Sequence, residues 1–171
     1  MADVPPIIAE LVERYERNRD MYRSTNYNEE QTRIEFINPF FEALGWDVTN
    51  KAGNSPKYMD VVFEGTIRID DQANAPDYTF RIGERRKFFV EAKHPSLSIH
   101  LDKRPALQIR RYCWSAKLPL GIVTNFHEFA LYHGRTKTNS SDKAAYARLM
   151  YMTYKDYASR WEEIYGLFSK D

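Results

Sequence analysis

The chain has 171 residues, with 25 Lys and Arg against 24 Asp and Glu and a formal net charge of +1. A chain of this length can bury one hydrophobic core without covalent cross-links, and its single cysteine cannot form an internal disulfide. The near-neutral charge excludes a uniformly basic surface, so any affinity for a polyanion must come from local clusters of charge. The sequence has no signal peptide and no apolar run of about 18 residues, and it therefore predicts a cytoplasmic protein outside the membrane.

Two amphipathic helices are predicted in the first part of the chain. The first covers residues 7–24, where apolar side chains recur at helical spacing among many charges. The second begins at Asn28 in a capping box and ends at Gly45. Its predicted buried stripe consists of Ile34, Ile37, Phe41 and Leu44. Its predicted polar stripe consists of Gln31, Glu35, Asn38 and Glu42.

Extended segments are predicted to follow these helices. Residues 46–49 form a strand, residues 59–69 a strand or a pair of strands, and residues 70–74 lead into the next strand. Residues 77–82 and 87–93 have the aromatic and β-branched content of two further strands, with turn residues between them. These two strands predict a β-hairpin.

The register of this hairpin follows from its apolar residues, because side chains alternate between the two faces of a strand. The large apolar side chains of both strands share one face only if the turn has an odd number of residues. These side chains are Tyr78, Phe80, Ile82, Phe88, Val90 and Ala92. Asp77, Glu91 and Lys93 then lie on the opposite face. A three-residue turn places Asp77 across from Glu91 at roughly 5 Å between Cβ atoms, and a five-residue turn places it across from Lys93.

This register predicts a charged cluster on a buried strand. Two carboxylates about 5 Å apart repel each other by roughly 3 kcal/mol at an effective dielectric constant near 20, so a cation is expected beside them. Lys93 alone would make a surface salt bridge, whereas a divalent metal would make a metal site. Carboxylate oxygens without accompanying His or Cys favour Mg²⁺ or Mn²⁺ over zinc.

The remaining chain completes a mixed α/β pattern. A helix is predicted from Pro105 to about residue 116, followed by strands at residues 118–124 and 126–133. Residues 136–143 are predicted to form a loop. A last helix at residues 155–169 is predicted to expose aromatic side chains, as a helix that connects to a following domain would.

Pro76-Asp77, followed by Glu91-x-Lys93 after an apolar strand, resembles the PD-(D/E)xK nuclease signature. Together with Gln108-x-x-x-Tyr112 on the next helix, it resembles the nuclease domains of type I and type IIG restriction-modification enzymes. The resemblance implies a restriction-endonuclease-like α/β (α+β) fold, with a mixed central β-sheet flanked by helices. It also implies one nuclease domain over residues 1–171: a helical lead-in at 1–27, a core at 28–133, and a loop with a connector helix at 134–171.

The resemblance also implies roles for individual residues. Asp77, Glu91 and the backbone carbonyl of Ala92 would bind Mg²⁺, with Mn²⁺ as a substitute, and Lys93 would orient or deprotonate a water or stabilise charge on the phosphate. Glu35 on the second helix would be a further catalytic and metal-binding acid, although Asp60 competes with it. Gln108 and Tyr112 would position DNA. Of the basic residues, Arg104, Arg110 and Arg111 on the same helix are predicted to assist them.

The predicted function is therefore that of a Mg²⁺-dependent endonuclease domain acting on double-stranded DNA. The sequence shows no element that reads bases, so target-recognition and methyltransferase domains are expected in the same larger polypeptide. Two nuclease domains would meet transiently to break both strands. The alternatives are a RecB-like repair or recombination nuclease, which shares the Gln-x-x-x-Tyr feature, and a DNA-binding or assembly module with a vestigial site.

Overall fold

The structure is a computed structural model, and it describes residues 3–64, 67–69 and 72–171. Part of the predicted connection over residues 70–74 lies outside the described residues. The helices are α1 Pro6–Arg17, α2 Arg19–Tyr22, α3 Glu29–Thr32, α4 Asn38–Glu42, α5 Lys103–Ala116 and α6 Trp161–Phe168. The strands are β1 Val61–Phe63, β2 Ile67–Ile69, β3 Gln72–Asn74, β4 Tyr78–Ile82, β5 Arg85–Ala92, β6 Leu120–Thr124, β7 Glu128–His133 and β8 Arg148–Thr153. No helix in the described ranges has the length and apolar character needed to cross a bilayer.

Six strands form one mixed sheet in the order β1-β4-β5-β6-β7-β8, and β2 and β3 form a separate ribbon. The pair β5–β6 is parallel, because α5 crosses over between these strands, and the other neighbouring pairs are antiparallel. Helices flank both faces of this sheet. One hydrophobic cluster joins α1, α4 and α6 to one face, and a second joins α5 to the other. The predicted mixed α/β architecture is confirmed.

The β4–β5 hairpin has the predicted register at the motif, although its turn is shorter than predicted. Gly83 and Glu84 form a two-residue turn, and Gly83 has the positive φ of 62° that such turns require. A β-bulge then leaves Lys87 as one extra residue on β5, so that Phe80 pairs with Phe88. Two turn residues and one bulged residue give the same register as a three-residue turn. Ile82 pairs with Arg85 beside the turn and is 45% exposed instead of buried.

The helical segment 29–42 departs from the predicted pattern because it contains a π-helical turn at Arg33–Ile37, between α3 and α4. The N–H of Asn38 donates to the carbonyl of Arg33, five residues earlier, and one extra residue in the turn shifts every following side chain around the helix axis. Asn38, predicted to be on the polar stripe, is therefore buried. Ile34, predicted to be buried, lies within the π turn and is 60% exposed. Pro39 lacks an N–H, and the carbonyl of Glu35 accepts instead from Arg14.

One further prediction was wrong, and one strand of the sheet was not predicted. Residues 46–49 lie in an irregular segment with a turn rather than in a strand, and the Asp47 carboxylate accepts from the N–H groups of Lys51 and Ala52 and closes this local turn. In the C-terminal part, β8 is a sixth sheet strand that the sequence did not reveal.

The C-terminal helix is shorter than predicted and lies against the core. Its residues Trp161, Ile164 and Phe168 are at most 1% exposed, so the prediction of exposed aromatic side chains is wrong for Trp161 and Phe168. Tyr165 is partly exposed. The indole N–H of Trp46 donates to the carbonyl of Phe168 at 2.7 Å. The helix therefore completes the core of this chain instead of presenting an aromatic surface.

Candidate active site

Asp77 and Glu91 lie next to each other where β4 begins and β5 ends. The N–H of Asp77 donates to Glu91 Oε1 at 2.9 Å, and the N–H of Ala92 donates to Asp77 Oδ2 at 2.7 Å. Each strand therefore orients the carboxylate of the other. The apolar side chains of the hairpin pack in the cluster on the α1, α4 and α6 side, so the two acids point towards the α5 side.

Burial dominates the electrostatics of this pair. It raises the pKa of Glu91 to about 7, and the neighbouring charge of Asp77 contributes to the same shift. The pKa of Asp77 is also raised, chiefly by burial. Only 6% of the Glu91 side chain and 17% of the Asp77 side chain are exposed. Two acids that are costly to ionise together form a site that a cation would stabilise.

Lys93 joins these acids to α5. Its Nζ lies 3.6 Å from Glu91 Oε2 and donates to Gln108 Oε1 at 2.8 Å. Gln108 Nε2 in turn donates to the hydroxyl of Tyr112 at 3.2 Å. Gln108 and Tyr112 are neighbours on α5 because residues four apart share a helix face. Four residues singled out in the sequence, namely Glu91, Lys93, Gln108 and Tyr112, thus form one connected network.

The acid that the N-terminal helices bring near this network is Glu29, not Glu35. Glu29 is half-buried, lines a cleft with Lys93 and Gln108, and has a pKa raised by burial and by the charge of Asp77. The carboxylate of Glu35 is bound by the hydroxyl of Tyr27 and lies on an exposed residue. Glu29 occupies the first position of α3, where an acidic side chain also interacts favourably with the helix dipole. Because this role is common, the sequence pattern did not indicate Glu29 as a site residue.

Asp60 is separated from the site and has a structural environment. Its Oδ2 accepts from the N–H of Asp47 at 2.9 Å, and its Oδ1 pairs with Lys170 at 3.0 Å. These contacts fix the chain before β1 and the C-terminal segment. Neither of the two acids proposed to complete the site, Glu35 or Asp60, is brought to Asp77 and Glu91 by the contacts of the described residues.

The three arginines predicted to assist DNA binding have different environments. Arg110 is 1% exposed, pairs with Asp142 at 2.8 Å and donates to the carbonyl of Lys137, so it holds the loop after β7 and cannot face DNA. Arg104 is exposed, pairs with Asp102 and lines the cleft. Arg111 is exposed, and helical spacing places it on the face that carries Arg104 and Gln108.

A cleft of about 340 Å³ lies beside the network. Its lining residues come from α3, from the segment after β5 and from the first part of α5: Glu29, Lys93, His94, Ser96, Leu97, Asp102, Arg104, Pro105 and Gln108. The segment after β5 is fixed by two buried polar residues that the sequence did not single out. Asn125 donates to the carbonyls of His94 and Leu97, and Glu128 accepts from two backbone N–H groups further on.

The carboxylate oxygens of this cluster are ligands that fit a small, hard divalent cation. Within the described residues, no group of three or more Asp, Glu, His and Cys side chains is close enough to hold an ion. A closed cage of protein ligands, as zinc prefers, is thus not formed by that part of the chain. Mg²⁺ instead binds through one or two carboxylates and completes its shell with water and phosphate oxygens. The adjacent buried carboxylates of Asp77 and Glu91 provide that number of ligands.

Comparison with known proteins gives one relative by sequence and one by fold. The chain is 37% identical over 163 residues to the type II restriction enzyme and methyltransferase RM.Eco57I of Escherichia coli, a match that covers 94% of this chain and 16% of that protein. Its fold matches a fragment described as an HsdR subunit of a type I restriction enzyme from Vibrio vulnificus YJ016. That match has a TM-score of 0.51 and 15% identity, and it covers 78% of this chain and 25% of that one.

No protein-family model matches the chain. At 15% identity the structural match concerns the fold alone, whereas the sequence match extends over almost the whole chain. The resemblance predicted from the motifs is therefore confirmed: this chain is similar to a segment of a type II restriction enzyme, and it has a restriction-endonuclease-like fold.

Proposed function

We propose that this chain is the Mg²⁺-dependent DNA endonuclease domain of a larger restriction-modification enzyme of type IIG or type I. The observation that carries the proposal is the connected network from Asp77 and Glu91 through Lys93 to Gln108 and Tyr112, at one end of a restriction-endonuclease-like sheet. The sequence match to a restriction enzyme supports this function over that of a RecB-like repair nuclease.

Asp77 and Glu91 would hold the metal, with the backbone carbonyl of Ala92 as a third oxygen ligand. When bound, the cation polarises the scissile phosphate and lowers the pKa of a bound water. The N–H of Ala92 keeps the Asp77 carboxylate in place by donating to Oδ2. Oδ1 of Asp77 and Oε2 of Glu91 are the oxygens that face cationic side chains.

Lys93 would act on the reacting phosphate. Its ammonium has three donors, of which one binds Gln108 and another faces Glu91. The third would hold the attacking water or a phosphate oxygen, where a positive charge stabilises the transition state. Gln108 would keep the ammonium directed at that position, and Tyr112 would in turn orient the Gln108 amide.

The DNA would lie across the cleft, with Arg104 and Arg111 binding phosphates along α5. Glu29 replaces Glu35 in this proposal as the acid from the N-terminal helices. Because no third acid in the described residues is within direct reach of the pair, Glu29 would act through a water bound to the metal. Arg110 has a structural role in this scheme, since its guanidinium is paired inside the fold.

Sequence recognition would come from other parts of the full-length protein. The matched restriction enzyme is about six times as long as the matched segment, which covers 16% of it, and its name includes a methyltransferase. Methyltransferase and target-recognition domains continuous with this chain are consistent with that length. The isolated chain is expected to nick double-stranded DNA slowly without sequence preference, and transient dimers would break both strands.

The test is a calorimetric titration with Mn²⁺, paired with nicking of a supercoiled plasmid. Asp77→Asn keeps an oxygen for the N–H of Ala92 and removes the charge, so it should fold while losing Mn²⁺ binding and about 10³-fold in nicking rate. Asp20→Asn, on an exposed residue of α2, is the matched control and should behave as the unaltered chain.

Two outcomes would contradict the proposal in different ways. Unchanged Mn²⁺ binding by folded Asp77→Asn would show that the metal lies elsewhere. Metal binding by an unaltered chain that cuts no DNA, even within the full-length protein, would support the vestigial alternative.

A further inference from the structure

Arg33 is a cation outside the nuclease motif that faces the metal-binding acid Asp77. Its Nη1 lies 3.6 Å from Asp77 Oδ1, and the two side chains are 23% and 17% exposed. This distance exceeds the roughly 2.7–2.9 Å of a charge-assisted hydrogen bond, so Arg33 is a loosely held counter-ion and not a locked partner. A loosely held cation can be displaced by one that binds the same oxygen more tightly.

The π-helical turn is what directs Arg33 to β4. In an α-helix, residues five apart point about 140° away from each other, because successive residues are about 100° apart. Here the Asn38 N–H donates to the Arg33 carbonyl, which brings these two residues onto one face. Asn38 Oδ1 accepts from the hydroxyl of Tyr78 at 2.6 Å, directly beside Asp77. This buried hydrogen bond fixes the turn against the strand that carries the metal-binding acid.

Each of the two acids faces one basic side chain. Arg33 lies 3.6 Å from Asp77, and Lys93 lies 3.6 Å from Glu91. A divalent cation bound to the two acids would itself balance their two negative charges. The positive charges of Arg33 and Lys93 would then be in excess. Attack of hydroxide on a phosphodiester monoanion gives a transition state with two negative charges, which these two basic side chains would balance.

We propose that Arg33 is a catalytic residue that the metal releases. Without metal it occupies the Asp77 carboxylate, and when the metal takes that oxygen, the guanidinium binds a non-bridging oxygen of the scissile phosphate. A planar guanidinium with several donors matches a phosphate better than it matches the single oxygen it faces here. This inference rests on the proposed function, because it requires a metal at Asp77 and a phosphodiester substrate.

The first experiment measures Mn²⁺ affinity by calorimetry without DNA. Arg33→Ala removes the competing cation, so Mn²⁺ should bind about tenfold more tightly than in the unaltered chain. Arg33→Lys keeps the competing charge and should bind Mn²⁺ as the unaltered chain does. Arg17→Ala, on an exposed residue at the end of α1, is the control for the lost positive charge. Circular dichroism of each variant checks the fold.

The second experiment measures binding of a short DNA duplex in a Lys93→Ala background, in which the duplex remains intact. With Mn²⁺, Arg33→Ala should bind DNA about tenfold more weakly, with a salt dependence reduced by about one released ion. Without metal, Arg33 is held by Asp77 and the same substitution should change DNA binding less than twofold.

The possible results separate this inference from the proposed function. Weaker or equal Mn²⁺ binding by Arg33→Ala, or an equal loss of DNA binding with and without metal, would overturn the metal-released role of Arg33 alone. An unaltered chain that binds no Mn²⁺ would overturn the proposed function and this inference together.

Discussion

The two segments that contribute acids to the site, the β4–β5 hairpin and the helical segment 29–42, place their charged groups by different means. In the hairpin, the alternation of side chains and one bulge put Asp77 beside Glu91. In the helical segment, the π-helical turn moves Asn38 inwards, and Glu29 rather than Glu35 is the acid beside the cluster.

A strand and a helix respond differently to one extra residue. The bulge adds one residue to a two-residue turn, and the strand pairing beyond the bulge depends only on the total number of these residues. The register at the end of the hairpin that carries Asp77 and Glu91 is therefore unaffected. The extra residue of a π turn rotates everything that follows it by about 100°, so it changes which side chains are buried. Charged groups on the strands are thus fixed more directly by local sequence than those on the helix.

Substitution of Lys93 is the most sensitive test of the role proposed for the hairpin. Lys93→Ala should lower the nicking rate by about 10³-fold, because it removes the charge that we propose acts on the reacting phosphate. Mn²⁺ binding should persist, since an ammonium is not a metal ligand. Calorimetry and plasmid nicking measure the two effects, with the exposed Lys143→Ala as the control. Loss of Mn²⁺ binding in folded Lys93→Ala would instead assign Lys93 to the architecture of the hairpin.

The raised pKa of Glu91 predicts how the stability of the hairpin end depends on pH. Its ordinary value is 4.5 and its folded value about 7, so the folded chain binds this proton more tightly than the unfolded chain does. The stabilisation is complete below pH 4.5 and is lost as the pH rises through about 7. Glu91→Gln should flatten the free energy of unfolding in this window.

Mn²⁺ should reverse that loss if, as we propose, the ionised carboxylates of Asp77 and Glu91 bind it. Above pH 7 the metal at about 100 times its dissociation constant should stabilise the chain by about 2.7 kcal/mol, and near pH 5 by much less. Urea unfolding at both pH values measures this difference. A metal effect of equal size at pH 5 would show that Glu91 is not a ligand.

The hydrogen bond between Asn38 and Tyr78 tests the attachment of the helical segment to the hairpin. Asn38→Ala leaves the buried hydroxyl of Tyr78 without its acceptor and should lower the free energy of unfolding by about 2 kcal/mol. In a double-mutant cycle, Tyr78→Phe should remove most of that cost, because no hydroxyl then remains to be satisfied. Strictly additive effects would mean that the two segments are held together by other contacts.

Glu29 and Glu35 give a direct comparison within the helical segment. Glu29→Gln should slow nicking by about tenfold, as expected for an acid that acts through a bound water, and Glu35→Gln should change the rate less than twofold. The two substitutions remove the same charge six residues apart and serve as controls for each other. The opposite ranking would mean that the helix turns Glu35 towards DNA in the complex.

The sequence alone was sufficient for the mixed α/β fold, the hairpin register and the grouping of Asp77, Glu91 and Lys93. Strand residues alternate with a fixed period, and the apolar residues from Tyr78 to Ala92 admit few registers that bury them. The Gln108–Tyr112 pair was predicted for a similar reason, because the four-residue spacing holds along the regular helix α5.

Tertiary structure decided the features that depend on contacts between distant segments. The π turn accompanies Pro39 and is held by Arg14 and Tyr78, which lie on other elements, so its effect on Asn38 was not visible locally. The same holds for Arg110, whose partner Asp142 is 32 residues away, and for the buried C-terminal helix. The local sequence pattern gives the spacing of side chains along a helix or strand. Only the packing of the whole chain determines which face of that element is buried and which charged side chains lie at the site.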